Sequence, residues 1–327
     1  MDKVSPSSLQ VAVGCVSLRS FDPEAMEEAI QKSHFEHYLD SPGRFHGTIL
    51  QATNARTRLD SGRYNLPVLA RGPVPPDRMT LGVLLNKRDE SLFNGSVLSP
   101  GSMMLYGEGE ELNVRLTRNS NWLSIQLDRS TLADIGIEFS DSGFRCWDKA
   151  AGLALRRQIL RNVRFLESAS ELTRWADTLA ANQAINDVED DLLLTLAGLS
   201  ADKRVYALQS STRRRDRTLR IVRDATAYME ANIELPITIS DICLALNTNI
   251  KTLERAFLRA YGVGPKQYLL KKRLSKLRQL LICGSGEKRA LVDAYLSCGL
   301  SHFGRAAQDY KAFFGEPPSL TLSQSRS

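Results

Sequence analysis

Residues 238–265 read TISDICLALNTNIKTLERAFLRAYGVGP, and their local chemistry dictates a short helix, a tight turn and a longer helix. Thr238 or Ser240 can accept a hydrogen bond from a free N–H of the first turn and so start a helix carrying Ile239, Ile242 and Leu246. Asn247-Thr248-Asn249 supplies turn chemistry, and Asn249 can cap a second helix. That helix stops at Gly262, the residue type that most readily adopts the left-handed C-terminal conformation. Leu253, Ala256 and Phe257 share the apolar face expected to be buried, with Lys251, Glu254, Arg255 and Leu258 opposite. Gly264-Pro265 opens a longer helix, with Tyr268, Leu269, Leu274, Leu277 and Leu281 inward and an end near Gly284. Upstream, Leu219, Val222, Thr226, Met229 and Ile233 form another stripe, ended by Leu235-Pro236.

The pattern recurs. Residues 291–318, LVDAYLSCGLSHFGRAAQDYKAFFGEPP, place Tyr310, Gly315 and Pro318 53 positions beyond Phe257, Gly262 and Pro265. Leu291 to Ser297 is the expected first helix of this second unit, Cys298 to His302 its turn, and Phe303 to Phe314 its second helix. Two short helices joined by a few residues are the helix-turn-helix geometry.

Charge follows the same division. Residues 201–327 hold 22 Lys and Arg against 11 Asp and Glu, whereas residues 1–200 hold 21 against 26. A basic segment on a mildly acidic remainder attracts a polyanion through counterion release, and nucleic acid fits that description.

Residues 240–274 and 291–322 resemble the two halves of the AraC/XylS DNA-binding domain. The run GLSHFGRAAQDYKAFFGEPPSLTL, Gly299 to Leu322, is similar to the subgroup containing ethanolamine-utilisation regulators. This resemblance implies a sequence-specific, effector-responsive transcription regulator, in this family usually an activator, whose two units enter successive major grooves. The implied base readers are Lys251, Thr252, Glu254, Arg255 and Leu258 in the first unit and Phe303, Gly304, Arg305 and Gln308 in the second. Arginine can reach guanine O6 and N7 together, and glutamate can accept from cytosine N4. Phosphate contacts are assigned to Asn249, Lys266, Lys271, His302 and Lys311. Two positions depart from the family pattern: Ala306 stands for a buried aromatic, and Gln308 for an arginine.

Upstream the reading changes. Asp22 to Lys32 suggests a capped helix, with Asp22 as the cap and Pro23 in the first turn. From Gly47 to about Leu132, short alternating runs separated by Gly, Pro, Asn and Asp indicate a small antiparallel sandwich or barrel. Its arrangement resembles the cupin-like regulatory domain of the same subgroup. Leu153 to Leu199 has helical spacing and suits pairing with a second copy. The expected fold is therefore multidomain α+β. A cupin-like sensor spans 1–135, a helical dimerisation segment 136–209, a basic linker 210–217, and an all-α domain with two helix-turn-helix units 218–322.

The remaining composition narrows the function. No run approaches the ~18 apolar residues of a membrane helix, and no signal peptide is apparent, so a cytoplasmic protein is expected. The five cysteines form no CxxC pair, and they read as reduced and mostly buried. The four histidines, His34, His37, His46 and His302, lack the spacing of a cupin metal site, so neither metal nor cofactor is expected. Gly107 to Glu111 reads as an acidic turn, and Trp122 and Tyr106 read as core packing. The expected partners are promoter DNA, RNA polymerase, an unidentified small-molecule effector and a second copy of the chain. The rival readings are a constitutive regulator whose N-terminal domain only dimerises and a cupin enzyme carrying a DNA-binding domain.

Overall fold

The computed structural model describes residues 12–30, 35–53, 56–85, 90–136, 145–147, 156–166, 168, 178–200, 205–207, 212–283 and 288–324. In chain order the strands are β1 (Ala12–Leu18), β2 (Glu36–Leu39), β3 (Gly47–Thr53), β4 (Thr57–Tyr64), β5 (Val68–Pro73), β6 (Met79–Leu84), β7 (Ser91–Phe93), β8 (Ser96–Leu98), β9 (Met103–Tyr106), β10 (Glu111–Leu116), β11 (Ser120–Leu127), β12 (Arg145–Trp147) and β13 (Val205–Ala207). The helices are α1 (Pro23–Glu28), α2 (Arg129–Asp134), α3 (residues 156–166), α4 (Thr178–Ser200), α5 (Thr212–Ala231), α6 (Ile239–Ala245), α7 (Ile250–Tyr261), α8 (Pro265–Cys283), α9 (Lys288–Leu296), α10 (Phe303–Phe314) and α11 (Pro318–Gln324).

The strands form two sheets. One has eight strands in the order β1-β3-β4-β11-β6-β9-β12-β13, and the other five in the order β2-β5-β10-β7-β8. Alternation places one set of side chains from each sheet in a shared core, including Ile49, Tyr64, Met104 and Tyr106 from the large sheet and Val68, Ala70 and Val114 from the small one. The opposite face of the large sheet presents Leu81, Val83, Leu123 and Ile125, and α3 and α4 cover it with Ile159, Val163, Ile185 and Leu192. The outer face of the small sheet, with Tyr38 and Leu69, packs on α5, α7 and α8 through Val222, Phe257 and Tyr268. The order of layers is thus helices, large sheet, small sheet, C-terminal helices.

Several sequence expectations need correction. The segment 136–209 is not wholly helical: β12 pairs with β9 and β13 with β12, extending the large sheet beyond the expected boundary at 135. Its helices spend most of their apolar stripe on that sheet, although Phe165 and Leu194 remain 51% and 73% exposed. The expected linker is helical from Thr212, because α5 continues unbroken into the stripe of Val222 and Met229; this helix ends at Ala231, before Leu235-Pro236. Asp22 does cap α1, accepting from Glu24 N at 3.1 Å and Ala25 N at 3.2 Å, but the helix ends at Glu28 instead of reaching Lys32. Cys243 and Cys298 are buried, whereas Cys15 and Cys283 are exposed, so burial is less general than the composition suggests. His34 lies outside the described residues. Among the described residues no helix is long and apolar enough to cross a membrane.

Candidate nucleic-acid interface

Local capping fixes the first helix pair. Thr238 accepts from Asp241 N at 3.3 Å while the Asp241 carboxylate accepts from Thr238 N at 2.7 Å, a reciprocal arrangement that starts α6. Asn247 adopts φ 47° in the turn, a left-handed conformation that asparagine tolerates better than most residues. Asn249 then caps α7, its side-chain oxygen accepting from Thr252 N at 2.9 Å. Gly262 ends the helix at φ 69°.

The faces of α7 divide as its periodicity requires. Leu253, Ala256 and Phe257 are buried, whereas Lys251, Glu254, Arg255 and Leu258 are exposed and Thr252 is half-buried. Leu258 is 54% exposed, an apolar side chain among the polar ones of that face.

The second pair repeats this plan with weaker local fixing. Its turn contains Gly299 at φ 65°, where a Cβ would lie 2.6 Å from the Ile233 carbonyl oxygen, so only glycine fits. His302 occupies the cap position of α10 but makes no side-chain capping bond. Phe303, Gly304, Arg305 and Gln308 are exposed, and Ala306, Tyr310 and Phe314 are buried. Phe303 stacks on Tyr295 with ring centroids 5.3 Å apart. Arg305, 78% exposed, leans toward Asp309 one turn on, with Nε 3.3 Å from a carboxylate oxygen. Gly315 ends α10 at φ 79°, matching Gly262.

The assigned phosphate-contacting residues separate into two groups. Lys266, His302 and Lys311 are exposed, and Asn249, also exposed, uses its side-chain oxygen as a cap. Lys271 does not belong with them. It is buried against the small sheet, where its ammonium is paired with the Asp40 carboxylate and donates to the Asp40 carbonyl at 2.9 Å. The face of α8 that carries Lys271 packs on β2, so its charge is neutralised inside the protein. Arg115 Nε completes the cluster, 2.6 Å from the other Asp40 oxygen. Beside it, Lys272 sits 3.1 Å from Glu230 and 3.4 Å from Glu36. Burial opposes ionisation of Glu36, but the Lys272 ammonium, with help from Tyr38 and Arg71, outweighs it and holds the carboxyl below its usual range.

Further contacts tie the helices to the sheets. The Tyr261 hydroxyl donates to Asn113 Oδ1 at 2.8 Å. Arg278 Nε donates to the Phe21 carbonyl at 2.6 Å, and its Nη1 lies 3.0 Å from Glu316. Strand β10 therefore has two duties: Asn113 and Arg115 face the C-terminal helices, while Leu112, Val114 and Leu116 line a cavity between the sheets.

The sequence left the lining of any binding pocket unassigned. Tyr106 and Trp122, read as packing, both border this cavity, together with His37, Tyr64 and Thr80. No signal within any one strand brings these residues together, because they come from β2, β4, β6, β9 and β11. Gly107 to Glu111 does form the expected turn, where Glu110 accepts from Gly107 N at 3.1 Å and Glu108 pairs with Arg129 at 2.7 Å.

Residues 242–324 match a family model described as a helix-turn-helix domain. The chain is similar to the HTH-type transcriptional regulator ArgR of Pseudomonas aeruginosa, 35% identical over 102 residues that make up 31% of this chain and 30% of that protein. It is also similar to the XylDLEGF operon transcriptional activator of Pseudomonas putida, 30% identical over 97 residues, 30% of each chain. A solved AraC-type DNA-binding-domain regulator from Chromobacterium violaceum is 31% identical and aligns with 33% of this chain and 94% of that one, at a TM-score of 0.30. The chain thus spans about 30% of the length of the two curated relatives.

Proposed function

We propose that this chain, whose residues 242–324 match a helix-turn-helix domain, is a sequence-specific DNA-binding regulator of transcription that responds to a small molecule. The observation that carries this reading is the matched exposure of α7 and α10. Each buries one face, ends at a left-handed glycine and leaves a mixed polar and apolar face in solvent. In this reading the two pairs are two helix-turn-helix units, and α7 and α10 enter successive major grooves. Lys251, Thr252, Glu254, Arg255 and Leu258 face bases in one groove, and Phe303, Gly304, Arg305 and Gln308 in the next. Lys266, His302 and Lys311 hold phosphate and set the register.

The remaining assignments follow from the layers. The two-sheet domain, cupin-like in this reading, is the sensor, and its small sheet bears the DNA-reading helices. The outer side of α3 and α4, with exposed Phe165 and Leu194, serves pairing with a second copy. Activation through contact with RNA polymerase in the cytoplasm completes the reading, with no cofactor assigned. The ethanolamine-regulator likeness of Gly299 to Leu322 is a pattern of the reading domain and does not name the effector.

The test is selection of binding sites from randomised duplexes by the full chain, followed by titration at rising salt. Expected is a site of two segments about 10 base pairs apart, with affinity falling steeply as salt displaces Lys and Arg from phosphate. Binding that is insensitive to both sequence and salt contradicts the reading.

A further inference from the structure

The cavity between the sheets carries more polar groups than its walls satisfy. His37 Nδ1 and the Thr80 hydroxyl are buried without a hydrogen-bond partner, the Tyr64 hydroxyl and Trp122 Nε1 have none but each other, and all four residues border the same space. His37 and Tyr64 are each only 2% exposed, and Thr80 5%. A buried donor or acceptor left unpaired costs about 1–3 kcal/mol, so such groups around one cavity mark a place where an incoming molecule is rewarded. The free volume, about 70 Å³, holds several waters or one ring-sized organic molecule, since a single water needs roughly 10–15 Å³.

The site is also built to hold its shape. Gly62 lies beneath the Trp122 indole, where a Cβ would come within 2.4 Å of the ring. The Tyr64 and Trp122 rings are 6.0 Å apart, placing both polar ends in one region. Trp122 N–H can only donate, and Tyr64 and Thr80 can donate or accept, so an occupant that offers an acceptor is rewarded there. Burial pushes the Tyr64 phenol up, so it stays protonated, and pushes the His37 imidazole down to about 4, so it stays neutral. Among the described residues no Lys, Arg, Asp or Glu lines the space. A charged guest would lose its hydration with no counter-charge to replace it.

We propose that this cavity is the effector site, and that it takes a compact, uncharged, largely apolar molecule bearing an oxygen that accepts a hydrogen bond, such as an aromatic or short aliphatic alcohol, aldehyde or ketone. This rests on the reading of the chain as an effector-responsive regulator and specifies the ligand class. The shared wall supports that role: β2 and β10 line the cavity with His37 and Val114, while their neighbours Glu36 and Arg115 hold the C-terminal helices.

The full chain is titrated with benzyl alcohol, benzaldehyde, 1-hexanol, benzoate and benzylammonium, reading melting temperature and tryptophan fluorescence. At least one neutral probe raises the melting temperature and alters the fluorescence, and neither ion does so at the same concentration. Tyr64→Phe, which keeps the ring and removes the hydroxyl, and Trp122→Phe, which keeps an aromatic ring and removes the N–H, each weaken that binding about tenfold. Ions that bind as tightly as neutral probes, or binding unchanged in both variants, overturn the proposal. Failure of every neutral probe at millimolar concentration means a water-filled cavity and also overturns it. DNA binding by the same preparation is measured separately, so loss of this proposal is distinguishable from loss of the regulator reading.

Discussion

Lys271 on α8 and Asp40 at the end of β2 form a buried ion pair across 231 positions of sequence, with the carboxylate side chain only 2% exposed. The pair joins the C-terminal helices to the small sheet. Removing one partner of a buried pair strands the other charge, which is costly even where the intact pair adds little over an apolar replacement. Lys271→Met is expected to lower stability by about 2–4 kcal/mol, softened by the remaining Arg115 contact, with Lys271→Met/Asp40→Leu recovering much of the loss. Thermal and denaturant unfolding measure this. A Lys271→Met protein of unchanged stability but shallower salt dependence on DNA would restore Lys271 as a phosphate contact.

His37 gives the fold an acid sensitivity with a defined sign. Burial, opposed by the Phe35 backbone and the Glu36 charge, depresses the imidazole to about 4 from an ordinary 6.5. The unfolded chain therefore takes up a proton near pH 6.5 and the folded chain only near 4. Stability falls as pH drops between those values and levels below them, by up to about 3 kcal/mol from this group. Urea unfolding of wild type and His37→Leu from pH 7 to 4.5 checks it: the variant has the shallower pH dependence, and parallel curves would contradict the assignment.

Gly62 makes room for the Trp122 ring. A methyl group there would sit 2.4 Å from the indole, so Gly62→Ala must displace the ring or part the strands. The expected loss is about 1–3 kcal/mol, as for other overpacked cores, with much of it regained in Gly62→Ala/Trp122→Leu. Additive losses in the double variant would show that the strain lies elsewhere.

What was legible in the sequence was local. Asn249, Gly262 and Gly315 act within one helical turn, and burial of Leu253, Ala256 and Phe257 follows from a 3.6-residue period. What was not legible depends on distant chain. Nothing near Lys271 distinguishes it from exposed Lys266, because its burial follows from packing against Asp40. The three-residue strands β12 and β13 exist through pairing with β9 and each other, not through their own pattern. The cavity likewise arises only when Tyr64 and Trp122 meet across strands paired from Gly62 to Trp122.

The two proposed reading helices, α7 and α10, differ in what they offer a base. Lys251, Glu254 and Arg255 stand exposed on α7, whereas on α10 Arg305 is already engaged with Asp309 and Gln308 is uncharged. Charge-assisted bonds are the stronger ones, so α7 should carry more of the sequence preference. Footprinting of wild type, Arg255→Ala and Gln308→Ala on one selected site is the most direct test that both helices read DNA. Arg255→Ala is expected to cost about 1–3 kcal/mol and to relax one or two positions of the segment read by α7, with a smaller loss for Gln308→Ala confined to the segment about 10 base pairs away. Footprints and affinities unchanged by both substitutions would contradict DNA reading by these helices.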